Sequence, residues 1–315
     1  MEYPRTAPPQ GHDSLHRRIV HSPGQIVNMF TERRNMAVGT IRLIAMDMDG
    51  TLLGEQKGVI PSANVEALRR ASKMGIYLAL ASGRLPDDAG FHALDAGLSM
   101  HILGINGSVT VHQPLGEVAV ARFIPEACAR TIWGILKEFN IPFSISSVHE
   151  VAFSAYPADL VAARLSQGTF LDRPRGRIRL WLDGTMIEPL MGRVNKFSVI
   201  NPNTRRLALL RELIETQVPE VDVTSSWFDN LEIMAKGVNK GSALTELAAF
   251  LNIPMSEVMA IGDQDNDIPM IQAAGYGVAM GNASPAAAAA ARFHTVTNTE
   301  DGVAVAINRL ALATQ

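Results

Sequence analysis

Three short apolar runs in this chain each end in polar residues, and this repeated pattern limits the possible folds more than any other feature. The runs are Ile41–Met46, Ile76–Ala81 and Val258–Ile261. Each has the length and the apolar character of a strand that is buried on both faces. Segments with helical spacing follow at Pro61–Ser72 and Gly241–Leu251. This alternation predicts an α/β fold, with a three-layer, Rossmann-like core built on a parallel sheet.

The middle of the chain follows a different rhythm, with alternating apolar runs punctuated by proline. We therefore predict that residues 41–111 and 237–315 form the core and that residues 112–236 form an inserted α+β cap domain. Residues 1–40 are rich in Pro, His and Arg and have no apolar periodicity. We expect them to be a disordered extension, or sequence upstream of a start at Met36.

Composition sets limits on partners and compartment. Apolar residues make up 47% of the 315 residues, charged residues make up 19%, and the net charge is −3. This balance gives no reason to expect nucleic acid or an anionic membrane as a partner, and no apolar run is long enough to cross a bilayer. The single cysteine, Cys128, excludes an internal disulfide and favours a reducing compartment, so we expect a cytoplasmic protein. The sequence carries no signal for its oligomeric state.

Two aspartates follow the first apolar run, in the sequence Asp47-Met48-Asp49-Gly50-Thr51. Open parallel sheets bind their ligands at the carboxyl ends of their strands. Two carboxylates this close repel each other unless one is protonated or a cation lies between them, and Mg²⁺ is a cation that carboxylates bind well. Gly50 permits a tight turn, and Thr51 offers a hydroxyl and an N–H to an anion such as phosphate. A simple Asp-Gly turn would explain Asp49 but not the charged residue at position 47.

The triplet Asp-Gly-Thr occurs a second time, at residues 183–185. There Trp181 takes the position of the first aspartate, so the paired carboxylate is missing. We interpret this second copy as a hairpin turn.

Two further positions could bind a phosphate. Ser82 and Gly83 follow the second apolar run and offer a hydroxyl and an N–H, although Ser-Gly after a strand is more often a turn. Lys240 begins a predicted helix, where a cation opposes the helix dipole unless an anion matches its charge.

The sequence Gly262-Asp263-Gln264-Asp265-Asn266-Asp267 follows the last of the three runs. An acidic helix start would account for one or two acids. An EF-hand is excluded because its sixth position lacks glycine and no helix precedes it. Three acids and an amide within five residues therefore predict a metal site.

These motifs, in this order, resemble those of the haloacid dehalogenase superfamily, and most closely its Cof-type phosphatases. The resemblance rests on DMDGTLL, the strand end at Ser82, the helix start at Lys240, and GDQDND. It covers nearly everything from Ile41 onward, strongly in the core and weakly in the cap. It implies a magnesium-dependent phosphatase of small phosphorylated metabolites, such as sugar phosphates, pyridoxal phosphate or flavin-pathway phosphates.

The resemblance also implies a role for each matched residue. Asp47 would be the nucleophile that forms an aspartyl phosphate, and Asp49 would be the general acid and then the general base. Magnesium would be held by Asp47, by the backbone carbonyl of Asp49 and by Asp263. Asp267 would support the metal site or Lys240 without binding the metal itself. The predicted phosphate-binding residues are Thr51, Ser82, Gly83, Lys240 and Asn266.

The cap would exclude water and hold the leaving group. Candidate contacts to the leaving group are Arg84, Asn106, Ser146–His149 and Trp181.

Two other functions stay open at this point. A phosphotransferase or mutase of the same superfamily would use the same aspartyl phosphate. A non-catalytic, phospho-accepting receiver domain would also use an aspartate and a lysine, but more than half of this chain lies between Asp47 and Lys240.

Overall fold

The structure is a computed structural model that describes residues 41–54, 58–112, 117–154 and 179–313. The predicted extension, residues 1–40, lies outside these residues. The described residues form two sheets, each with its own helices.

The first sheet has eight strands among the described residues, in the order β14-β13-β12-β1-β2-β3-β4-β5. Its strands are β1 (Leu43–Met46), β2 (Tyr77–Ala81), β3 (His101–Gly104), β4 (Val109–Val111), β5 (Val118–Ala121), β12 (Val258–Gly262), β13 (Tyr276–Ala279) and β14 (Phe293–His294). The neighbours from β14 to β3 are all parallel, and β4 and β5 continue the sheet as antiparallel strands.

Helices cover both faces of this sheet. They are α1 (Ser62–Lys73), α2 (Pro86–Asp95), α5 (Lys240–Phe250), α6 (Ile268–Ala273), α7 (Pro285–Ala290) and α8 (Gly302–Ile307). Side chains alternate along β1, so that Ile44 and Met46 pack against α1, α2 and α8. Leu43 and Ala45 pack against α5 and α6 on the other face. The predicted three-layer α/β core is confirmed, and we call this sheet and its helices the core.

The predicted site residues follow strands that are neighbours in the core sheet. Asp47 follows β1, Ser82 follows β2, and Asp263 follows β12. Because β12, β1 and β2 are adjacent and parallel, their carboxyl ends lie at one edge of the sheet.

The second sheet has six described strands, in the order β10-β11-β9-β6-β7-β8. Its elements are β6 (Phe143–Ser147), β7 (Glu150–Phe153), β8 (Arg179–Trp181), β9 (Lys196–Ile200), β10 (Val221–Thr224) and β11 (Asn230–Ala235), with helices α3 (Glu126–Glu138) and α4 (Thr204–Gln217). Both helices pack on the same face, through residues such as Ile132 and Leu210 against Phe197. We call this sheet and these helices the cap.

The interpretation of residues 183–185 as a hairpin turn is wrong. They follow β8, which is the last strand in the order of the described strands of the cap sheet and is parallel to β7. The chain then runs to β9, which pairs with β6 and β11 and not with β8. The local sequence correctly predicted a turn, but the long-range order of the strands decides where the chain goes next.

The cap rests on the core through a small apolar cluster. Leu85, Ile105 and Val109 of the core and Val151 of the cap are its buried members. The core sheet extends to β5, which lies beyond residue 111, the predicted end of the first core segment. The predicted domain boundaries themselves stay a proposal. Among the described residues, no helix has both the length and the apolar character that a membrane crossing requires.

Candidate active site

Lys240 lies at the centre of the site. It is the first residue of α5, and its side chain is 1% exposed. Its ammonium donates to Asp47 Oδ1 at 2.5 Å and to Asp267 Oδ1 at 2.6 Å. A lysine at a helix start needs an anion to balance its charge, and here two carboxylates do so. Burial acts to lower the pKa of Lys240, but Asp267 and Asp47 more than offset this and raise it.

Asp267 is held by backbone groups as well as by the lysine. It is fully buried, and its Oδ2 accepts the N–H groups of Asp263 and Gln264 at 2.9 and 3.0 Å. Both of its oxygens therefore contact protein donors. This arrangement suits a residue that orients Lys240 and the turn after β12 better than a direct metal ligand.

Asp263 is oriented by the turn that follows β1. The hydroxyl of Thr51, which is fully buried, donates to Asp263 Oδ1 at 2.7 Å. Gly50 has φ of +83°, and a Cβ added there would lie 2.4 Å from Asp263 Oδ2. The hydroxyl of Thr51 is thus directed to a carboxylate rather than to a phosphate position. For the backbone N–H of Thr51, phosphate binding stays a prediction.

The charges in the site favour a divalent cation. Among the described residues, Asp47, Asp263 and Asp267 form a group whose carboxylate oxygens lie within 4.8 Å of one another. Burial raises the pKa of Asp47 well above its ordinary value; Lys240 opposes this, and Asp267 and Asp263 add to it. Burial, with a contribution from Asp267, also raises the pKa of Asp263, to about 6. One ammonium does not balance three carboxylates, and oxygen ligands of this kind suit a hard divalent cation.

Asp49 has a different environment from Asp47. Its side chain is 57% exposed and forms two hydrogen bonds with the Arg84 guanidinium, at 2.6 and 2.8 Å. Arg84 also contacts Asp88 at 3.0 Å. Desolvation by the surrounding protein acts to raise the pKa of Asp49 even at this exposure, but the hydrogen bonds and charge of Arg84 outweigh it, so this pKa is lowered. In this arrangement Asp49 is ionised, which suits a general base.

Two predicted phosphate ligands, Ser82 and Asn266, lie along one hydrogen-bonded path that runs through Asn106. Ser82 is 1% exposed, and its Oγ accepts the N–H of Arg84 at 3.2 Å. The backbone N–H of Asn106 donates to the Ser82 carbonyl at 2.9 Å. Asn266 donates from its amide to Asn106 Oδ1 at 3.3 Å. Asp265, by contrast, is exposed and accepts from Ser284 Oγ at 2.6 Å.

The predicted cap contacts have other partners in the structure. His149 lies 2.6 Å from Asp87 at the start of α2. Trp181 packs against the apolar core of the cap, and its Nε1 donates to Glu150 Oε2 at 3.0 Å. Contact of these residues with a leaving group stays a prediction.

Sequence reasoning missed two cap residues that reach the site. Lys196 in β9 donates to the Gly83 carbonyl at 2.9 Å, and Glu232 in β11 accepts from Asn106 at 3.0 Å. Both belong to strand sequences that are largely apolar, KFSVI and NLEIMA. A charged residue within such a strand is the signal that could have identified them.

A cavity of about 440 Å³ lies where the cap strands β10 and β11 approach this part of the core. Asn106, Lys240 and Asn266 line it from the core, and Thr224 and Met234 line it from the cap. Asp47 and Asp49 are not among its lining residues.

Comparison with known proteins shows the family of the chain. Residues 44–307 match the family model of the haloacid dehalogenase-like hydrolases. The chain belongs to this family, and the prediction of a Cof-type phosphatase of the haloacid dehalogenase superfamily is confirmed. The receiver-domain alternative is thereby removed.

Similar proteins come from several bacteria. The chain is 32% identical to a 5-amino-6-(5-phospho-D-ribitylamino)uracil phosphatase of Bacillus subtilis, covering 86% of this chain and 96% of the relative. It is 30% identical to a pyridoxal phosphate phosphatase of Escherichia coli, covering 84% and 97%. The solved structure of a haloacid dehalogenase-like hydrolase from B. subtilis shares 26% identity with a TM-score of 0.75, covering 86% of this chain and all of that one.

Proposed function

We propose that this phosphatase is magnesium-dependent and hydrolyses small phosphomonoesters through an aspartyl phosphate on Asp47. One observation carries the proposal: a buried carboxylate at a strand end lies 2.5 Å from a buried lysine and next to two more carboxylates. Such a site holds a nucleophile in place and combines it with the positive charge that a phosphoryl group needs.

In the first step, Asp47 attacks phosphorus and the bond to the leaving oxygen breaks. Lys240, which already contacts Asp47, balances charge on the phosphoryl oxygens. Ser82, the Gly83 N–H and Asn266 hold the remaining oxygens in line for displacement. The metal would be held by Asp47, Asp263 and the carbonyl of Asp49, and it would supply positive charge that neutralises the phosphoryl group.

Asp49 donates a proton to the leaving oxygen and then takes one from the water that cleaves the aspartyl phosphate. Its pairing with Arg84 suits the second step, because a general base must be ionised. For the first step, the dianionic substrate raises the pKa of Asp49 through charge repulsion and draws Arg84 toward the phosphate.

The substrate class is a small phosphorylated metabolite. Support comes from the relatives, whose names include phosphatases of a ribitylamino-uracil phosphate and of pyridoxal phosphate. The cap, proposed to span residues 112–236, would cover the site and contact the leaving group. Flavin-pathway phosphates, pyridoxal phosphate and sugar phosphates are therefore the first substrates to test.

The test measures phosphate release from a panel of these compounds with magnesium, with EDTA, and with the Asp47→Asn protein. We expect release from the wild-type protein with magnesium only, and no turnover by Asp47→Asn. Asp265→Asn is a matched control, because Asp265 belongs to the same acidic motif but lies outside the carboxylate group.

Equal release by wild type and Asp47→Asn would contradict the mechanism. Loss of the phosphomonoester without release of inorganic phosphate, and only when a sugar hydroxyl is added as acceptor, would indicate a phosphotransferase instead.

A further inference from the structure

A buried ion pair lies on the face of the cap sheet that is turned toward the core. Lys196 in β9 and Glu232 in β11 are 4% and 5% exposed, and Lys196 Nζ lies 2.5 Å from Glu232 Oε1. Their strand neighbours Phe197 and Ile233 point the other way, into the apolar core of the cap. Removing two charges from water is costly, and the hydrophobic core of the cap does not use them.

The lysine of this pair reaches Ser82 through one peptide group. Lys196 Nζ donates to the carbonyl of Gly83 at 2.9 Å. That carbonyl belongs to the Gly83–Arg84 peptide, and the N–H of the same peptide donates to Ser82 Oγ at 3.2 Å. Because Lys196 fixes the plane of this peptide, it also fixes the N–H that Ser82 Oγ accepts. This in turn limits the direction in which the Ser82 hydroxyl can donate its own hydrogen.

The glutamate of the pair reaches Asn266 through one side chain. Glu232 Oε2 accepts from Asn106 Nδ2 at 3.0 Å, and Asn106 Oδ1 accepts from Asn266 Nδ2 at 3.3 Å. Burial acts to raise the pKa of Glu232, but Lys196 and Asn106 outweigh it, so the carboxylate stays ionised as an acceptor. One cap ion pair thus contacts two core segments, and each segment carries a predicted phosphate ligand.

The segment that Glu232 holds has an unusual backbone. Ile105 and Asn106 have φ of +50° and +53°. A β-branched residue is rarely found in this region, and such strain persists only where neighbouring contacts enforce it. Backbone bonds from Ile105 to Arg84 and from Asn106 to Ser82 supply part of that support. Glu232 supplies a further contact from the cap.

We propose that Lys196 and Glu232 are positioning residues that couple the docking of the cap to the orientation of the phosphate-binding side chains Ser82 and Asn266. When the pair is in place, both side chains are held for phosphate. When the cap is displaced, the pair withdraws and both lose their orientation. This inference rests on the proposed function, since it assigns Ser82 and Asn266 to the phosphate.

The chain offers a matched control pair. Arg130 and Glu126 in α3 also form an ion pair of the cap, at 2.8 Å, but their side chains are 45% and 54% exposed. A surface pair of this kind contributes little. Its removal changes charge in the cap by the same amount without touching Gly83 or Asn106.

The experiment compares Lys196→Met, Glu232→Gln, the double variant Lys196→Met/Glu232→Leu, and the control Arg130→Met/Glu126→Gln. For each we would measure kcat and KM with the best metabolite and with p-nitrophenyl phosphate, the melting temperature, and calorimetric binding of inorganic phosphate with magnesium. We expect kcat of the first three variants to fall on the order of 10²-fold, because small misplacement of positioning groups has effects of this size. The double variant should fall no further than the single ones, since both residues act as one unit.

Two further results separate positioning from other roles. The double variant should melt close to the wild-type temperature, because apolar replacement of a buried ion pair is often neutral or stabilising, which offsets the partners that Asn106 and the Gly83 carbonyl lose. The factor lost in kcat should be the same for both leaving groups, since the pair acts through the phosphate site, and phosphate binding should weaken in parallel. The control pair should stay within about twofold of wild type.

A well-folded double variant with wild-type kcat and phosphate affinity would overturn the inference. A loss confined to one leaving group would also overturn it and would make the pair a leaving-group contact. If the wild-type protein releases no phosphate from any substrate, the proposed function fails. In that case the calorimetric comparison of phosphate binding alone tests the inference.

Discussion

The triplet Asp-Gly-Thr occurs at residues 49–51 and again at residues 183–185. In both copies the glycine has a positive φ, +83° at Gly50 and +76° at Gly184. L side chains rarely adopt this conformation, so both copies need glycine for the same reason. The two copies differ in where their polar side chains find partners.

In the first copy these partners are distant in the sequence. Asp49 pairs with Arg84 from the end of β2, and Thr51 donates to Asp263 from the end of β12. The turn therefore joins three neighbouring strand ends of the core sheet.

In the second copy the polar groups satisfy one another. Asp183 Oδ1 accepts the N–H of Thr185 at 3.0 Å and its hydroxyl at 2.7 Å. The triplet thus specifies a turn in both places. What makes the first copy part of a site is Asp47 before it and the parallel strands beside it.

The largest expected difference between the copies is catalytic. Asp49→Asn should lower kcat by on the order of 10²–10⁴-fold, because it removes general acid–base transfer. Asp183→Asn should leave kcat unchanged, since Asp183 contacts its own turn. Steady-state kinetics on the best phosphomonoester would measure both. Near-wild-type kcat for Asp49→Asn would remove Asp49 from the mechanism.

The glycines provide the second contrast. An alanine at either position has an unfavourable φ, with a cost of about 1–2 kcal/mol. At Gly50 the added Cβ would also lie 2.4 Å from Asp263 Oδ2, whereas at Gly184 the nearest atom is 3.8 Å away. We therefore expect Gly50→Ala to displace Asp263 and to lose on the order of 10²-fold in activity. Gly184→Ala should lose stability only.

Urea unfolding and magnesium-dependent phosphate release would be measured side by side for the two alanine variants. Equal activity in both would show that the close approach of Gly50 to Asp263 has no role in catalysis.

The sequence predicts those features of the site that depend only on where the strands of the core end. The positions of Asp47, Ser82 and Asp263 could be predicted, because apolar runs mark buried strands and parallel strands end at one edge. The pairing of Lys240 with an anion followed from its place at a helix start.

Contacts that depend on the packing of the cap could not be predicted in this way. The alternation in KFSVI and NLEIMA indicates strands, but not which face meets the core. Lys196 and Glu232 reach Gly83 and Asn106 only because β9 and β11 are neighbours in a sheet whose strand order is not sequential. The mistaken hairpin at residues 183–185 has the same origin.

The carboxylates that the two threonines contact should also titrate differently. Hydrogen bonds from Thr185 lower the pKa of Asp183. Burial raises the pKa of Asp263 from its ordinary value of 3.8 to about 6, and the hydrogen bond from Thr51 opposes this only in part. Between pH 4 and 6 the folded protein therefore holds a proton on Asp263 that the unfolded chain releases.

Because the folded state binds more protons in this window, its stability falls as pH rises. Without metal, wild type should lose up to about 3 kcal/mol relative to Asp263→Asn between pH 4 and pH 7. Chemical unfolding of both proteins across this range, with EDTA, would measure the difference. Excess magnesium should reverse it by binding the ionised carboxylate in wild type. A flat difference would contradict the raised pKa.

The threonine hydroxyls give the last contrast. Thr51→Val keeps the shape of the side chain but removes the donor to Asp263 Oδ1. We expect magnesium affinity to fall about 10–100-fold, as is typical when a group that orients a metal ligand is lost. At saturating magnesium kcat should recover, and Thr185→Val should match wild type throughout.

Magnesium titrations of activity, repeated by calorimetry, would measure both threonine variants. If instead Thr51→Val raises KM for the phosphomonoester and leaves magnesium affinity unchanged, the hydroxyl contacts phosphate, as the sequence alone predicted. The first copy would then resemble a phosphate loop more than a support for a metal ligand.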